Sequence, residues 1–278
     1  MDPDHFIHLF GQTDIGNQRQ TNEDAWWAGQ LGGSFASTEI LGETLRLRCT
    51  VAPVLAVVCD GVGGANAGEV ASQMAVSCIP AFLGSRQTAL SIAGSAGDTL
   101  RASLQAADAA IKTKATLPGM SGMCTTVSLL CLVGTGFAWW GQAGDSRIYR
   151  YRRGQLKQIT RDHSPVGRMR QDGVITEEAA RRHPQRNQID QSLGDQLNPF
   201  APDVGSVNFQ PLDVYVLCSD GLSDGLWDGE IAQIMDRVRS GADVRPAAEH
   251  LIAAAKQTSG RDNITAVVVF VEAPAAKP

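Results

Sequence analysis

At 278 residues, 43% hydrophobic and 19% charged, the chain has the composition of a soluble globular protein long enough for a layered core. A net charge of −5 and a pI near 5.5 give no support to nucleic acid or an anionic membrane as the main partner. The opening Met1-Asp2-Pro3-Asp4-His5 lacks the basic start and apolar core of a secretion signal, and the cysteines at 49, 59, 78, 124, 131 and 218 form no CxxC pair. The expectation is a cytoplasmic protein with reduced, mostly buried thiols.

Residues 6–13 and 25–31 carry strand patterns, separated by the polar loop 14–24. A Gly-, Ser- and Thr-rich stretch at 32–50 ends in the alternation Leu45, Leu47, Cys49, which predicts a loop followed by a strand. Strand 54–59 is continuously apolar and delivers Asp60 to a glycine-rich turn. Val70, Met74, Ile79 and Phe82 fall at helical spacing and predict a helix over 67–83, with Pro80 marking a late kink or its end. A second helix covers about 96–115, with Leu100, Leu104, Ala107 and Ile111 on one face. From Ala115 to Gly144 no residue is charged, a run long enough to span a bilayer. Thr125, Thr126, Ser128 and the turn Val133-Gly134-Thr135-Gly136 instead divide it into a buried β-hairpin.

Strands at 124–133, 136–143, 146–152 and 155–159, joined by very short connections, read as an antiparallel meander. Residues 161–202 are charged and Pro-containing, with one short helix at 176–182. Strands at 204–210 and 213–218, helices at 228–239 and 245–258 and a strand at 263–271 follow, and the end of the chain, 273–278, is expected to be disordered. Strands in runs and helices in pairs indicate α+β. Strands as apolar as 54–59, 126–132 and 265–271 need cover on both faces. A four-layer αββα sandwich, two stacked antiparallel sheets flanked by helix pairs, provides it. The five tryptophans read as packing residues.

The chemistry lies in acids that border these apolar segments. Val57-Val58-Cys59-Asp60, Asn22-Glu23-Asp24, Cys218-Ser219-Asp220-Gly221 and Arg261-Asp262-Asn263 each place a carboxylate at a strand end. Such a position is costly unless a cation neutralises it. Four convergent sets call for hard divalent cations with oxygen ligands, and so for a metal-dependent hydrolase. The glycine run at 61–68 lacks the Lys-Ser/Thr of a P-loop, and the chain shows no CxxxxxR nucleophile loop or serine triad.

Taken in order, six pieces resemble the metal-dependent Ser/Thr protein phosphatases, the phosphatase 2C-like (PPM) family, in its bacterial branch. They are Asp14-Ile15-Gly16 with Arg19-Gln20-Thr21-Asn22-Glu23-Asp24, Asp60-Gly61-Val62-Gly63-Gly64, Gly144-Asp145-Ser146-Arg147, Thr160-Arg161-Asp162-His163-Ser164, Ser219-Asp220-Gly221-Leu222-Ser223-Asp224 and Gly260-Arg261-Asp262-Asn263. The resemblance spans Asp14 to Val269 and implies a single catalytic domain over 6–272, with a mobile flap at about 161–202. It implies that Asp60 bridges two Mn²⁺ or Mg²⁺ ions, with the Gly61 carbonyl as a further ligand. Asp220 and Asp262 would hold one ion and Glu23 the other, partly through water. Asp24 would either ligate an ion of that site or support it from behind, and Asp145 and Asp224, sharing Asp220, would form a third, weaker one.

A hydroxide between the two ions is then expected to attack phosphorus directly while Arg19 grips the phosphate. Substrates would be phosphoserine and phosphothreonine proteins, opposed by a Ser/Thr kinase, and the expected state is a monomer. Many eukaryotic members carry a histidine, proposed as general acid, where this chain has Val62. A metal-bound water replaces it in this reading, with His163 a distant second. The arginines at 161, 168, 170, 181, 182 and 186, set against acids at 162, 172, 177 and 178, read as solvated surface or as guides for phosphopeptides, Arg168 and Arg170 foremost. Two competing readings are a catalytically silent phosphoprotein-binding pseudophosphatase and a small-molecule dimetal phosphohydrolase.

Overall fold

The apolar runs pair into two antiparallel sheets. The computed structural model describes residues 5–38, 42–62 and 67–274. In chain order it has β1 (Phe6–Asp14), β2 (Asp24–Gln30), β3 (Phe35–Ser37), β4 (Leu45–Arg48), β5 (Val54–Val62), α1 (Ala67–Gly84), α2 (Gln87–Leu90), α3 (Ala93–Lys114), β6 (Cys124–Thr125), β7 (Val127–Val133), β8 (Phe137–Ala143), β9 (Arg147–Arg152) and β10 (Gln155–Gln158). Then come α4 (Pro165–Gln171), α5 (Glu177–Arg181), β11 (Asp203–Asn208), β12 (Val214–Cys218), α6 (Asp220–Gly225), α7 (Asp228–Met235), α8 (Val244–Thr258) and β13 (Ile264–Val271). One sheet runs β10-β9-β12-β13-β1-β4; the other runs β11-β8-β7-β5-β2-β3, with β6 paired to the end of β5.

Strand alternation sorts the side chains into three apolar layers. Leu55, Val57 and Cys59 of β5 and Val127, Leu129 and Cys131 of β7 pack on α1 and α3. The intervening Val54, Ala56, Val58, Leu130 and Leu132 face the other sheet, where they meet Ile7, Leu9, Tyr215, Leu217, Val267 and Val269. On that sheet's far side Val214, Val216, Cys218, Ala266 and Val268 pack against α6, α7 and α8. The result is the expected αββα sandwich. No helix among the described residues is long and apolar enough to cross a membrane. The six cysteines are free, four of them buried.

Several local expectations are corrected. Pro80 does not end α1, which runs on to Gly84. β5 continues through Val62, so Asp60 lies within a paired strand rather than beyond it. The meander is broken between β8 and β9, which belong to different sheets: the chain crosses from one to the other at Gly144-Asp145-Ser146. Gly144 sits at φ +98°, and a Cβ there would stand 2.6 Å from Thr126 Cγ2, so the crossing needs glycine.

β3, α2, α4 and α6 add to the elements read from the sequence. α4 starts on Ser164, whose Oγ accepts from the Gly167 N–H at 3.0 Å, with Pro165 in the first turn. That start signal outweighs the polar composition that reads as loop. Residues 1–4, 39–41, 63–66 and 275–278, including Gly63, Gly64 and most of the expected tail, lie outside the described residues.

Candidate active site

At one end of the molecule the layer between the sheets turns from apolar to polar. The positions of β2 and β5 that face the other sheet carry Asp24 and Asp60 there, directly opposite each other in register. Two like charges in that relation repel. The other sheet contributes Thr13, Ser219 and Thr265. Beneath them runs a buried chain of bonds. Thr126 Oγ1 accepts from the Asp60 N–H at 3.0 Å and lies 2.6 Å from Ser146 Oγ; Ser128 donates to Gln142 Oε1 at 2.6 Å; and Gln142 Nε2 donates to the carbonyls of Gly144 and Ser146. In the sequence Thr126 and Ser128 stand out only as interruptions of an uncharged run. Their place on the Asp60 side follows from counting alternate positions.

Two loops bring the remaining candidates in. Asn263 is the clamp: its Nδ2 donates to the carbonyls of Ile15 and Thr21, both at 3.0 Å, and its Oδ1 accepts from the Glu23 N–H at 2.8 Å. Asn17 N–H bonds the Gly260 carbonyl at 2.6 Å. The loop before β2 is thereby laid on the loop before β13, and Arg19 Nη2 meets Asp262 Oδ2 at 2.7 Å. Asp220 opens α6, held close to the same loop because a Cβ on Gly221 would lie 2.0 Å from the Asn263 carbonyl oxygen. Gly221→Ala is therefore expected to displace Asp220 and lower the melting temperature; a crystal structure or thermal melt of the variant unchanged from the parent would contradict this. Gly61 is equally confined, 2.3 Å (as a Cβ) from the Gly68 carbonyl and 2.7 Å from that of Glu23.

Burial and mutual repulsion push these acids toward their neutral forms. Asp60 is driven well above the ordinary carboxylate range by desolvation, then by Asp24, Asp220, Asp145 and Asp262. Asp220 is raised in the same way by desolvation, Asp145, Asp224, Asp262 and Asp24. Desolvation, reinforced by Asp162, lifts Asp145 to about 7. Asp24 rises to about 6, desolvation outweighing the hydrogen bonds from Thr265 and Ser219. Glu23 and Asp224 are raised mainly by burial.

Asp145, Asp220 and Asp224 line a cavity of about 50 Å³ roofed by the 161–202 excursion. Asp190 and Asp195 bring the acids of that excursion level with its arginines, contrary to the expected excess of arginine. Arg161 pairs with Asp172, Arg168 with Asp190, Arg170 with Asp228, Arg181 with Glu177 and Arg182 with Glu178. Arg168 and Arg170, the two expected guides, are thus already engaged. Arg186 makes no ion pair among the described residues and borders the cavity beside Asp224. His163, the remote candidate for proton donation, is buried with Nε2 on Asp203 at 3.1 Å. Val62 is 41% exposed beside Asp60.

Among the described residues no three His, Cys, Asp or Glu side chains are closed tightly enough to grip an ion as they stand. Asp262 is turned to Arg19. The donor set nevertheless fits a hard divalent cation. It is all oxygen, and it includes a buried Asp220 Oδ1 with no hydrogen-bond partner.

The chain and its fold resemble known proteins. The family model for protein phosphatase 2C matches residues 48–267. The serine/threonine phosphatase stp of Listeria monocytogenes is 31% identical over 264 residues, 95% of each chain. The solved serine/threonine phosphatase of S. agalactiae superposes with a TM-score of 0.77 at 31% identity, over 96% of this chain and 100% of its own. The catalytic domain of the serine/threonine protein phosphatase PstP, in complex with two manganese ions, does so with a TM-score of 0.75 at 27% identity, over 96% and 100%. The chain belongs to the protein phosphatase 2C family, the metal-dependent protein phosphatases that its motifs resemble.

Proposed function

We propose that the chain hydrolyses phosphoserine and phosphothreonine in proteins, as one catalytic domain over 6–272 with residues 161–202 as its flap. The observation that carries this reading is the register pair Asp24–Asp60 facing Asp220, an anionic pocket at the polar end of the inter-sheet layer with Arg19 at its edge. Asp60, the Gly61 carbonyl, Glu23, Asp220 and Asp262, with Asp24 beside them, would hold two Mn²⁺ or Mg²⁺ ions, and Asp145, Asp220 and Asp224 a third. When bound, such ions supply Lewis acidity at the phosphate and lower the pKa of water toward neutrality.

The chain's own residues do the rest. Arg19, half-exposed beside Asp262, would turn its planar fork onto two phosphate oxygens and offset the charge that builds there. Asn263 fixes the loop from which it reaches. Val62 has no proton to give and His163 is tied to Asp203, so the departing alkoxide takes its proton from water. Phosphorylated proteins are the substrates in this reading, a Ser/Thr kinase the opposing activity, and a cytoplasmic monomer the working form.

The test is phosphate release from a phosphothreonine peptide with Mn²⁺ and then with excess EDTA, Asp220→Ala run alongside. Turnover that requires Mn²⁺ and disappears in the variant is the expected result. Turnover of a metabolite phosphate but of no phosphopeptide would favour a small-molecule hydrolase. No turnover in folded, metal-loaded protein would favour a silent phosphoprotein-binding module.

A further inference from the structure

Asp24 is 2% exposed, and its two oxygens are treated differently. Oδ2 accepts from Ser219 Oγ and from Thr265 Oγ1, each at 2.7 Å. Oδ1 is buried and has no partner. With Asp24 ionised, as a cation site requires, the hydroxyls around Oδ2 can be oriented only one way. Ser219 Oγ also accepts the Thr265 N–H at 3.0 Å, and Thr265 Oγ1 lies 2.7 Å from Thr13 Oγ1, which accepts from Asn22 Nδ2 at 2.9 Å. Because Thr265 gives its single proton to Asp24, Thr13 must give its own to Thr265. The chain runs Asn22 to Thr13 to Thr265 to Asp24, with Ser219 donating from the side. Every hydroxyl on it points its proton toward the carboxylate, and Thr265 and Ser219 are both completely buried. Such directed chains stiffen and polarise their end member.

We infer that Thr265 and Ser219 are positioning residues that lock Asp24 on one oxygen and leave only Oδ1 for the cation site. This deepens the proposed function and rests on that reading. Asp24 stands opposite Asp60 in register, so an Asp24 carboxylate free to rotate would offer either oxygen, or neither, to a cation held by Asp60. With Oδ2 fixed, one oxygen acts, in one direction. Removing an outer partner of a metal ligand of this kind costs about 10- to 100-fold in metal affinity.

Mn²⁺ binding to the intact protein, followed by the electron paramagnetic resonance of free Mn²⁺, gives the readout independently of turnover. Thr265→Val keeps the shape of the side chain and removes the donor. It is expected to raise the Mn²⁺ Kd about tenfold, Thr265→Ser to restore it, and Thr265→Val to have almost no further effect in an Asp24→Asn background. Ser219→Ala serves as the second variant should Thr265→Val fail to fold, with the same expectation. An equal loss of affinity in both backgrounds, or a lowered melting temperature with unchanged Mn²⁺ affinity, would reduce the hydroxyls to a structural role and overturn the inference. Parent protein that binds no Mn²⁺ at all would instead overturn the phosphatase reading itself.

Discussion

Asp60→Asn is expected to abolish phosphate release and, at the same time, to raise the melting temperature of the metal-stripped protein. The two effects have one cause. Asp60 is a carboxylate in the paired part of β5, opposite Asp24 and within reach of Asp220, Asp145 and Asp262, so without a cation its charge destabilises the fold. The amide keeps the shape, drops the charge and donates two hydrogens to neighbours that only accept. Activity should fall by at least about a thousandfold, the equivalent of about 4 kcal/mol of lost transition-state stabilisation. In a chain of this size each kcal/mol of relieved repulsion is worth about 2–4 °C. Thermal melts with and without EDTA, beside a phosphopeptide assay, check both halves. A variant that melts lower than the parent in EDTA would mean that Asp60 is compensated by something other than a cation.

The metal-stripped protein is further expected to be more stable at pH 5 than at pH 8. Unfolded aspartate titrates near 3.8, whereas folded Asp24 titrates at about 6 and Asp145 at about 7, raised chiefly by desolvation. Between those values the folded chain binds more protons than the unfolded one, so stability falls as pH rises. Asp24, nearly fully buried, contributes about 1.4 kcal/mol to the difference, because only the one pH unit between pH 5 and its folded value of about 6 counts, at 1.36 kcal/mol per unit. The carboxylates shifted the other way do not mask it. Glu272, held down to about 2 by hydrogen bonds from Arg46 and His8, and Asp195, Asp236 and Asp243, also lowered, act only in more acid solution. Saturating Mn²⁺ should reverse the trend, because a cation prefers the deprotonated acids. Urea midpoints at the two pH values, with EDTA and with Mn²⁺, give the answer. A profile in EDTA that is flat or climbs with pH would count against an uncompensated acid cluster.

The acids were legible in the sequence because they interrupt composition: Asp60 and Asp220 end long apolar runs, and no bland role accounts for several such interruptions together. Alternating and continuous apolar runs likewise specified the stacked sheets. What stayed hidden was set by partners distant in sequence. A three-residue connection at 144–146 serves a hairpin or a crossing between sheets equally well, and only the pairing of β9 with β12 decides it. Thr126, Ser219 and Thr265 are small hydroxyl residues in or beside apolar strands, and nothing local distinguishes them from tolerated polar positions until the two sheets are stacked. The arginines of the excursion seemed available because their carboxylate partners lie up to 58 positions away, as for Arg170 and Asp228.

The crossing at Gly144-Asp145-Ser146 has a mechanical consequence. The chain passes between the sheets there, through residues 15–23, and again through 159–202, each time at the end that carries the acids. The site is a seam, sewn by these crossings. Asp60 rides on one fabric and Asp220 on the edge of the other, so the gap between them is set by the thickness of the side-chain filling, which for stacked sheets is about 10 Å. Leu9, Val58, Leu130, Tyr215, Leu217 and Val267 thereby act as a gauge block. Trimming any of them is therefore expected to alter the separation of Asp60 and Asp220.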